Sequence, residues 1–136
     1  TQPPARDGGA ARVSVAALCL VAGALTVALP ASRFTLAWQH SVEKVLWEED
    51  YLIAGQWLYA TGARIRGSGA GMEPPDDAVL AGGAWHYRPA SRWLRELRLA
   101  RSGFTADYAL CFDGRCRPLS HWIALDKGET ILRPCP

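Results

Sequence analysis

Residues 109–119 read ALCFDGRCRPL. Asp113-Gly114 is the strongest short-range signal for a two-residue type I′ hairpin turn. With that turn, Phe112 faces Arg115 as a hydrogen-bonded pair. Cys111 then faces Cys116 as the next, non-hydrogen-bonded pair, where Cα atoms approach to about 4.5 Å and a disulfide fits. A zinc site would need further ligands, and a Cys-x4-Cys spacing is a poor knuckle. The stretch therefore predicts strands over Thr105–Phe112 and Arg115–Leu119, clasped by Cys111 and Cys116. The loop so closed is short and its entropic gain modest. Cys135 is then the odd thiol, unless it displaces one member of the pair.

A disulfide implies an oxidising compartment, and the N-terminal part supplies a route to one. After a polar segment 1–12, residues 13–31 read VSVAALCLVAGALTVALPA, with no charge. The run exceeds a typical signal-peptide core and sits near the lower limit for a membrane-spanning helix. Arg12 before it favours a cytoplasmic N-terminus, although Arg33 follows closely. Two readings compete: a retained signal anchor, and a signal peptide cleaved after Ala28. A buried core helix is a third, disfavoured because the run is apolar on all sides. Cys19 follows Leu18 and does not look like a lipoprotein acylation site. Either leading reading exports residues 33–136, anchored in the cytoplasmic membrane or released to the periplasm.

That exported part reads as strands. Phe34, Leu36 and Trp38 alternate with Thr35, Ala37 and Gln39. Val45, Trp47, Glu49, Tyr51 and Ile53 continue the pattern beyond a polar turn, and Trp57 to Ile65 forms a third strand after Gly55. Asp76 and Gly82 bracket one helical turn. Trp85–Tyr87 is a short strand, and 93–99 fits strand as well as helix. His121–Ala124 and Thr130–Leu132 pair across Asp-Lys-Gly. Short strands separated by turns predict an antiparallel β-sandwich or barrel-like domain behind one N-terminal transmembrane or signal helix.

Composition narrows the function. The 136 residues fit one domain, with 49% hydrophobic and 21% charged residues, as in ordinary globular proteins. A net charge of +2 with interspersed signs argues against a nucleic-acid binder. Six tryptophans suit a small domain that must bury area, and also binding surfaces.

The candidate chemistry is thin. Ser41-x-x-Lys44 has the spacing of penicillin-recognising acyl enzymes, but lies between strands and lacks their companion elements. His40, Ser41 and Glu43 invite a hydrolase reading, with Asp107, Asp113 or Asp126 as further members. Chains of this size commonly offer such sets. His40, His86 and His121 lack metal-site spacing, and no cofactor motif is present. The stretch GSGAGMEPP, Gly67–Pro75, is not a dinucleotide fingerprint and lacks a phosphate-loop lysine. Its alternate glycines expose backbone or permit close approach, with Met72 as an adaptable apolar contact and Glu73 as a charge. A tight crossover loop explains the same residues.

HSVEK (40–44) followed by WEEDY (47–51), GSGAGMEPPDDAVL (67–80) and LRLARSGFTADYALC (97–111) occur together here. In this combination the chain resembles the bacterial family termed domain of unknown function 1850, from Phe34 to about Cys116. The resemblance implies a small exported protein with an N-terminal hydrophobic segment. It also implies association with tripartite ATP-independent periplasmic (TRAP) transporters of the TAXI type. No catalytic residues carry over. The location of the family signature does, and it yields candidate contact residues: His40, Ser41, Glu43, Lys44 and Trp47; Gly67, Ser68, Gly69, Gly71, Met72 and Glu73; Arg101 and Ser102.

The leading expectation is a non-enzymatic accessory protein at the outer face of the cytoplasmic membrane, meeting the permease or its substrate-binding protein. The alternatives are a free-standing module that holds a small anionic solute with Trp47, Trp85, Arg101 and the glycine stretch, and an enzyme using His40, Ser41 and Glu43.

Overall fold

A computed structural model describes residues 16–39, 45–66, 74–125 and 128–136. Its centre is the meander expected from the alternation: β3 (Arg33–Gln39), β4 (Leu46–Ala54) and β5 (Trp57–Arg66). Phe34, Leu36 and Trp38 lie opposite Tyr51, Glu49 and Trp47, on the face turned to the core. Thr35 and Ala37 lie opposite Asp50 and Glu48, on the outer face. A two-residue turn at Gly55, with φ of 62°, returns β4 into β5.

The pairing of β4 with β5 shifts between Asp50 and Tyr51, leaving Thr61 as an extra residue. Because strand side chains alternate, one inserted residue exchanges the two faces. Before the bulge, Leu58 and Ala60 point inward; beyond it, Ala63 and Ile65 do, and all four are buried. Arg64 and Arg66 are thereby turned outward. Simple alternation along 57–65 concealed this switch.

The sheet extends on both sides. Next to β3 lie β10 (Ala109–Phe112) and β11 (Arg115–Pro118); next to β5 lie β7 (Ala84–Tyr87) and β6 (Val79–Ala81). A two-residue strand, β8 (Trp93–Leu94), also pairs with β5, completing eight strands. The hairpin that decided the sequence reading forms as expected, with Cys111 opposite Cys116 and Phe112 opposite Arg115. Asp113 and Gly114 have φ of 52° and 75°, as a type I′ turn requires. The Cys111–Cys116 disulfide forms across a Cα–Cα distance of 4.0 Å.

The N-terminal segment departs from expectation. Among the described residues of 13–31, the chain forms β1 (Leu18–Ala22) and β2 (Leu25–Leu29), not a helix. No helix among the described residues is long and apolar enough to cross a membrane. These strands join β12 (Glu129–Pro134) and β9 (Leu97–Ala100) in a four-stranded sheet of order β2-β1-β12-β9. The hairpin that precedes residue 33 thus pairs into the same fold as the strands that follow it. The tail at 1–12 lies outside the described residues. For β1 the physical reason is burial on both faces; β2 is apolar yet mostly exposed. Leu18, Leu20 and Ala22 point into the core, while Cys19 on the opposite face is also covered. A central strand buried on both sides is as uniformly apolar as a buried helix, and periodicity cannot separate them. Gly23, with φ of 59°, turns the chain between the two strands.

Cys135 is not an odd thiol: it bonds to Cys19 across 116 residues of sequence. Both disulfides fit an oxidising, extracytoplasmic environment.

Three further expectations change. Asp76 starts no helical turn; β6 and β7 form a hairpin across Gly82 and Gly83, both at positive φ. Residues 93–99 split into β8 and β9, which belong to different sheets, so the chain crosses the sandwich at Arg95-Glu96. Leu119–His121 is a 3-10 turn, and β12 pairs with β1 and β9 rather than with 121–124. The two sheets face each other across Leu18, Leu20, Leu132 and Leu99 on one side and Phe34, Leu36, Leu58 and Leu110 on the other. The architecture is thus a two-layer antiparallel β-sandwich.

The chain-entropy model makes the two disulfides unequal, at about 5 kcal/mol for the long loop and about 2 kcal/mol for the short one. Replacing Cys19 and Cys135 by alanine is expected to lower the urea midpoint more than replacing Cys111 and Cys116. Equal losses would contradict the tie between the chain ends.

Candidate functional site

Gln39, Leu46 and Arg66 are register neighbours across β3, β4 and β5. The chain therefore leaves β3, enters β4 and leaves β5 at one end of the large sheet. β10 begins at the same end, since Ala109 lies opposite Ala37. Gln39, Leu46 and Arg66, which border stretches 40–44 and 67–73 in sequence, thus share one end of the large sheet with the start of β10, which follows 101–108. His40, Ser41, Glu43 and Lys44, and Gly67, Ser68, Gly69, Gly71, Met72 and Glu73, lie outside the described residues. Trp47, Arg101 and Ser102 lie within them.

On the inner face of this end, Trp38 stacks on Trp47 with ring centroids 6.1 Å apart and leans on Tyr108 at 6.0 Å. Val45, just before β4, is buried. Trp47 is a half-buried packing residue here, and Trp85 sits two strands away, opposite Ile65 of β5. Among the described residues, the small cavity at Arg101 is lined by Ser102, Asp107, Ser120 and Leu125, not by either tryptophan.

Arg101 is 5% exposed. Its Nε and Nη2 donate to both carboxylate oxygens of Asp107 at 2.9 Å. Nη1 donates to the Thr130 hydroxyl at 3.0 Å, and Nη2 also to the Ile123 carbonyl at 3.2 Å. Asp107 further accepts the backbone N–H groups of Tyr108 and Ser120. Burial alone would raise the Asp107 pKa; the Arg101 hydrogen bonds and those two amides outweigh it and hold the carboxyl below its usual range. Arg101, singled out as a contact residue, is an internal clamp.

The clamp is the base of a short loop. Between Arg101 and Asp107, the Ser102 hydroxyl pairs with that of Thr105 at 3.2 Å and accepts the Phe104 N–H at 3.2 Å. Phe104 stands at the tip, 99% exposed. A phenyl ring held wholly in water on an anchored loop is the outstanding surface feature of this end. The sequence carried its signal, a large apolar residue between turn formers in Ser-Gly-Phe-Thr, and that signal was overlooked.

The outer face nearby carries a charge network built by the bulge. Arg64 donates to both oxygens of Asp50 at 2.5 and 3.0 Å, and to Glu48 at 3.4 Å. Thr35 donates to Asp50 at 2.6 Å, and Arg66 bonds Glu48. Burial raises the Asp50 pKa, but the hydrogen bonds from Arg64 and Thr35 bring it below the usual value. The inner face holds one anomaly. Glu49 lies between Leu36 and Ala63, with Tyr51 donating to it at 3.0 Å. Burial raises its pKa more than that hydrogen bond lowers it.

Of the remaining candidates, His86 bonds the Ala81 carbonyl and His121 packs against Trp122. Among the described residues no three His, Cys, Asp or Glu side chains form a metal-binding group.

Residues 34–119 match the family Domain of unknown function (DUF1850). The chain belongs to that family. The match takes in β3 through β11, so nearly all of the large sheet and the Phe104 loop are family territory. β1, β2 and β12, three of the four strands of the small sheet, lie outside it. No curated protein and no solved structure gives a significant match.

Two stability measurements follow. Arg101→Ala is expected to cost about 1–3 kcal/mol in urea unfolding, because the Thr130 hydroxyl and Ile123 carbonyl lose their partner and the half-buried Asp107 loses its counter-charge. Arg101→Lys is expected to recover little, lacking the two-pronged geometry; a loss under about 1 kcal/mol would show that the clamp is dispensable. For Glu49 the folded-state pKa lies above the unfolded one, so its contribution is full below the unfolded value of about 4.5 and is lost as pH rises through the folded value. Glu49→Gln is therefore expected to raise the melting temperature by a few degrees near neutral pH and hardly at all at about pH 4. A gain largest in acid would contradict the assignment.

Proposed function

We propose that this protein is a non-catalytic, extracytoplasmic docking component of a TAXI-type TRAP secondary transporter. It acts at the outer face of the cytoplasmic membrane and meets the permease or its substrate-binding protein through the end of the large sheet. The observation that carries the reading is Phe104. Its ring is wholly exposed, yet its loop is fixed at the base by the pairing of buried Arg101 with half-buried Asp107. An aromatic anchor presented on a preorganised loop loses little conformational entropy on association, which is the physics of a protein-binding hot spot. Gln39, Leu46 and Arg66, which border two stretches of the resemblance in sequence, lie at the same end, and the resemblance supplies the class of partner. The two disulfides support the compartment.

The test is recovery of the permease or the binding protein with the tagged chain from crosslinked, detergent-solubilised membranes. Phe104→Ser is expected to reduce recovery at least tenfold, a loss within the range of a hot-spot residue, while leaving the melting temperature unchanged. Failure to recover either component with the unaltered chain, or undiminished recovery with Phe104→Ser, would refute the proposal.

A further inference from the structure

A second surface lies away from Phe104, at the Asp113–Gly114 turn of the β10–β11 hairpin. A half-open groove of about 590 Å³ runs there, lined by Phe112, Asp113, Arg115, Arg117, His121 and Trp122. That size is within the range of small-molecule sites. Trp122 packs on Phe112 with centroids 5.6 Å apart, and His121 meets its ring at 5.2 Å, nearly perpendicular. These rings form an apolar wall. Arg115 and Arg117 occupy alternate positions of β11 and share a face. Both are exposed, and neither makes an ion pair among the described residues. Asp113 is the single carboxylate of the lining.

The edge itself decides what kind of occupant fits. β11 is the outermost strand of the large sheet. In a hairpin closed by a two-residue turn, Phe112–Arg115 and Leu110–Arg117 are the hydrogen-bonded pairs. The backbone groups of Cys116 and Pro118 then face outward. Pro118 has no N–H, and the Cys116 carbonyl accepts a hydrogen bond from Arg117 Nη1 at 3.2 Å. An added strand would find a single free donor, so this edge is closed to extended peptides. That same hydrogen bond holds the Arg117 guanidinium at the groove, and among the described residues its other N–H groups meet no acceptor.

We infer that this groove is a binding site for a small carboxylate with a flat apolar body: the carboxylate held by Arg115 and Arg117, the body laid against Trp122 and Phe112. Guanidinium forks match carboxylates in geometry as well as charge, and aromatic walls favour flat partners. The site is separate from the Phe104 surface, so neither proposal depends on the other.

Benzoate is the probe, titrated into the isotopically labelled chain and followed by backbone amide and indole N–H resonances. Saturable shifts are expected at Arg115, Cys116, Arg117 and the Trp122 indole, with a dissociation constant on the order of 1 mM, as befits an open site. The isosteric neutral benzamide is expected to bind at least tenfold more weakly, and Arg115→Gln/Arg117→Gln to weaken benzoate at least tenfold with an unchanged melting temperature. The inference is overturned by the absence of saturable shifts at these residues, by equal binding of benzamide, or by full binding to the double variant. Sulfate binding as tightly as benzoate overturns the aromatic half, since a simple anion would then suffice.

Discussion

The Arg101 guanidinium holds the two sheets to one another. Arg101 follows the last residue of β9 in the small sheet, and its partner Asp107 lies just before β10 in the large one. Thr130 belongs to β12, and the Ile123 carbonyl and Ser120 amide belong to the connection that leads back from β11. Removing a cation from water costs several kcal/mol, so it is tolerated only where its donors find acceptors. Here a carboxylate, a hydroxyl and a carbonyl supply them. The loop from 102 to 106 needs no core of its own because its two ends are already fixed, and Phe104 can stand in solvent without the chain collapsing around it. A costly internal interaction and an unprotected external ring are two ends of one arrangement.

The bulge at Thr61 plays a comparable part for the large sheet. It lets one strand serve two environments, with Leu58 and Ala60 packed in the sandwich interior and Arg64 and Arg66 answering Asp50 and Glu48 on the other face. Had alternation run unbroken from Leu58, position 64 would point inward, and an arginine there would need a second internal acceptor set. The inserted residue reconciles an apolar half-strand with a basic one. Glu49 shows what an unreconciled position looks like, a carboxylate on the inner face with a tyrosine hydroxyl as its hydrogen-bonding partner.

Local chemistry was the legible part of the sequence. Asp113-Gly114 between two cysteines has essentially one good solution, and the hairpin, its register and its disulfide followed from it. The alternation in 33–53 gave the correct faces of β3 and β4 for the same reason. Non-local facts were not legible. The partner of Cys19 lies 116 residues away, and nothing near either cysteine names the other. Within the apolar run at 13–31, Leu18–Ala22 is as apolar as a membrane segment because it is a central strand largely covered on both faces, whereas β2 is an edge strand whose apolar residues, Leu25 among them, stand largely in solvent. Only the pairing of β1 with β12 separates a strand from a membrane segment here. At the candidate site, Arg101 came from the family resemblance as a contact residue, whereas its burial depends on Asp107 six residues on and on acceptors from two distant segments, at Ile123 and Thr130. Phe104, the residue that does reach outward, has no partner whose pattern could have drawn attention to it.

The Cys19–Cys135 bond carries one consequence of a mechanical kind. The Cys135 N–H also bonds the Ala17 carbonyl, so the first and last described strands are joined side by side by hydrogen bonds and by a covalent link. A load applied through the residues flanking these cysteines would pass across the sulfur bridge without entering the sheets. In an oxidising compartment such a domain transmits tension as a short rigid link, and in a reducing one the same pull would peel β1 from β12 and unravel the sandwich from its smaller face.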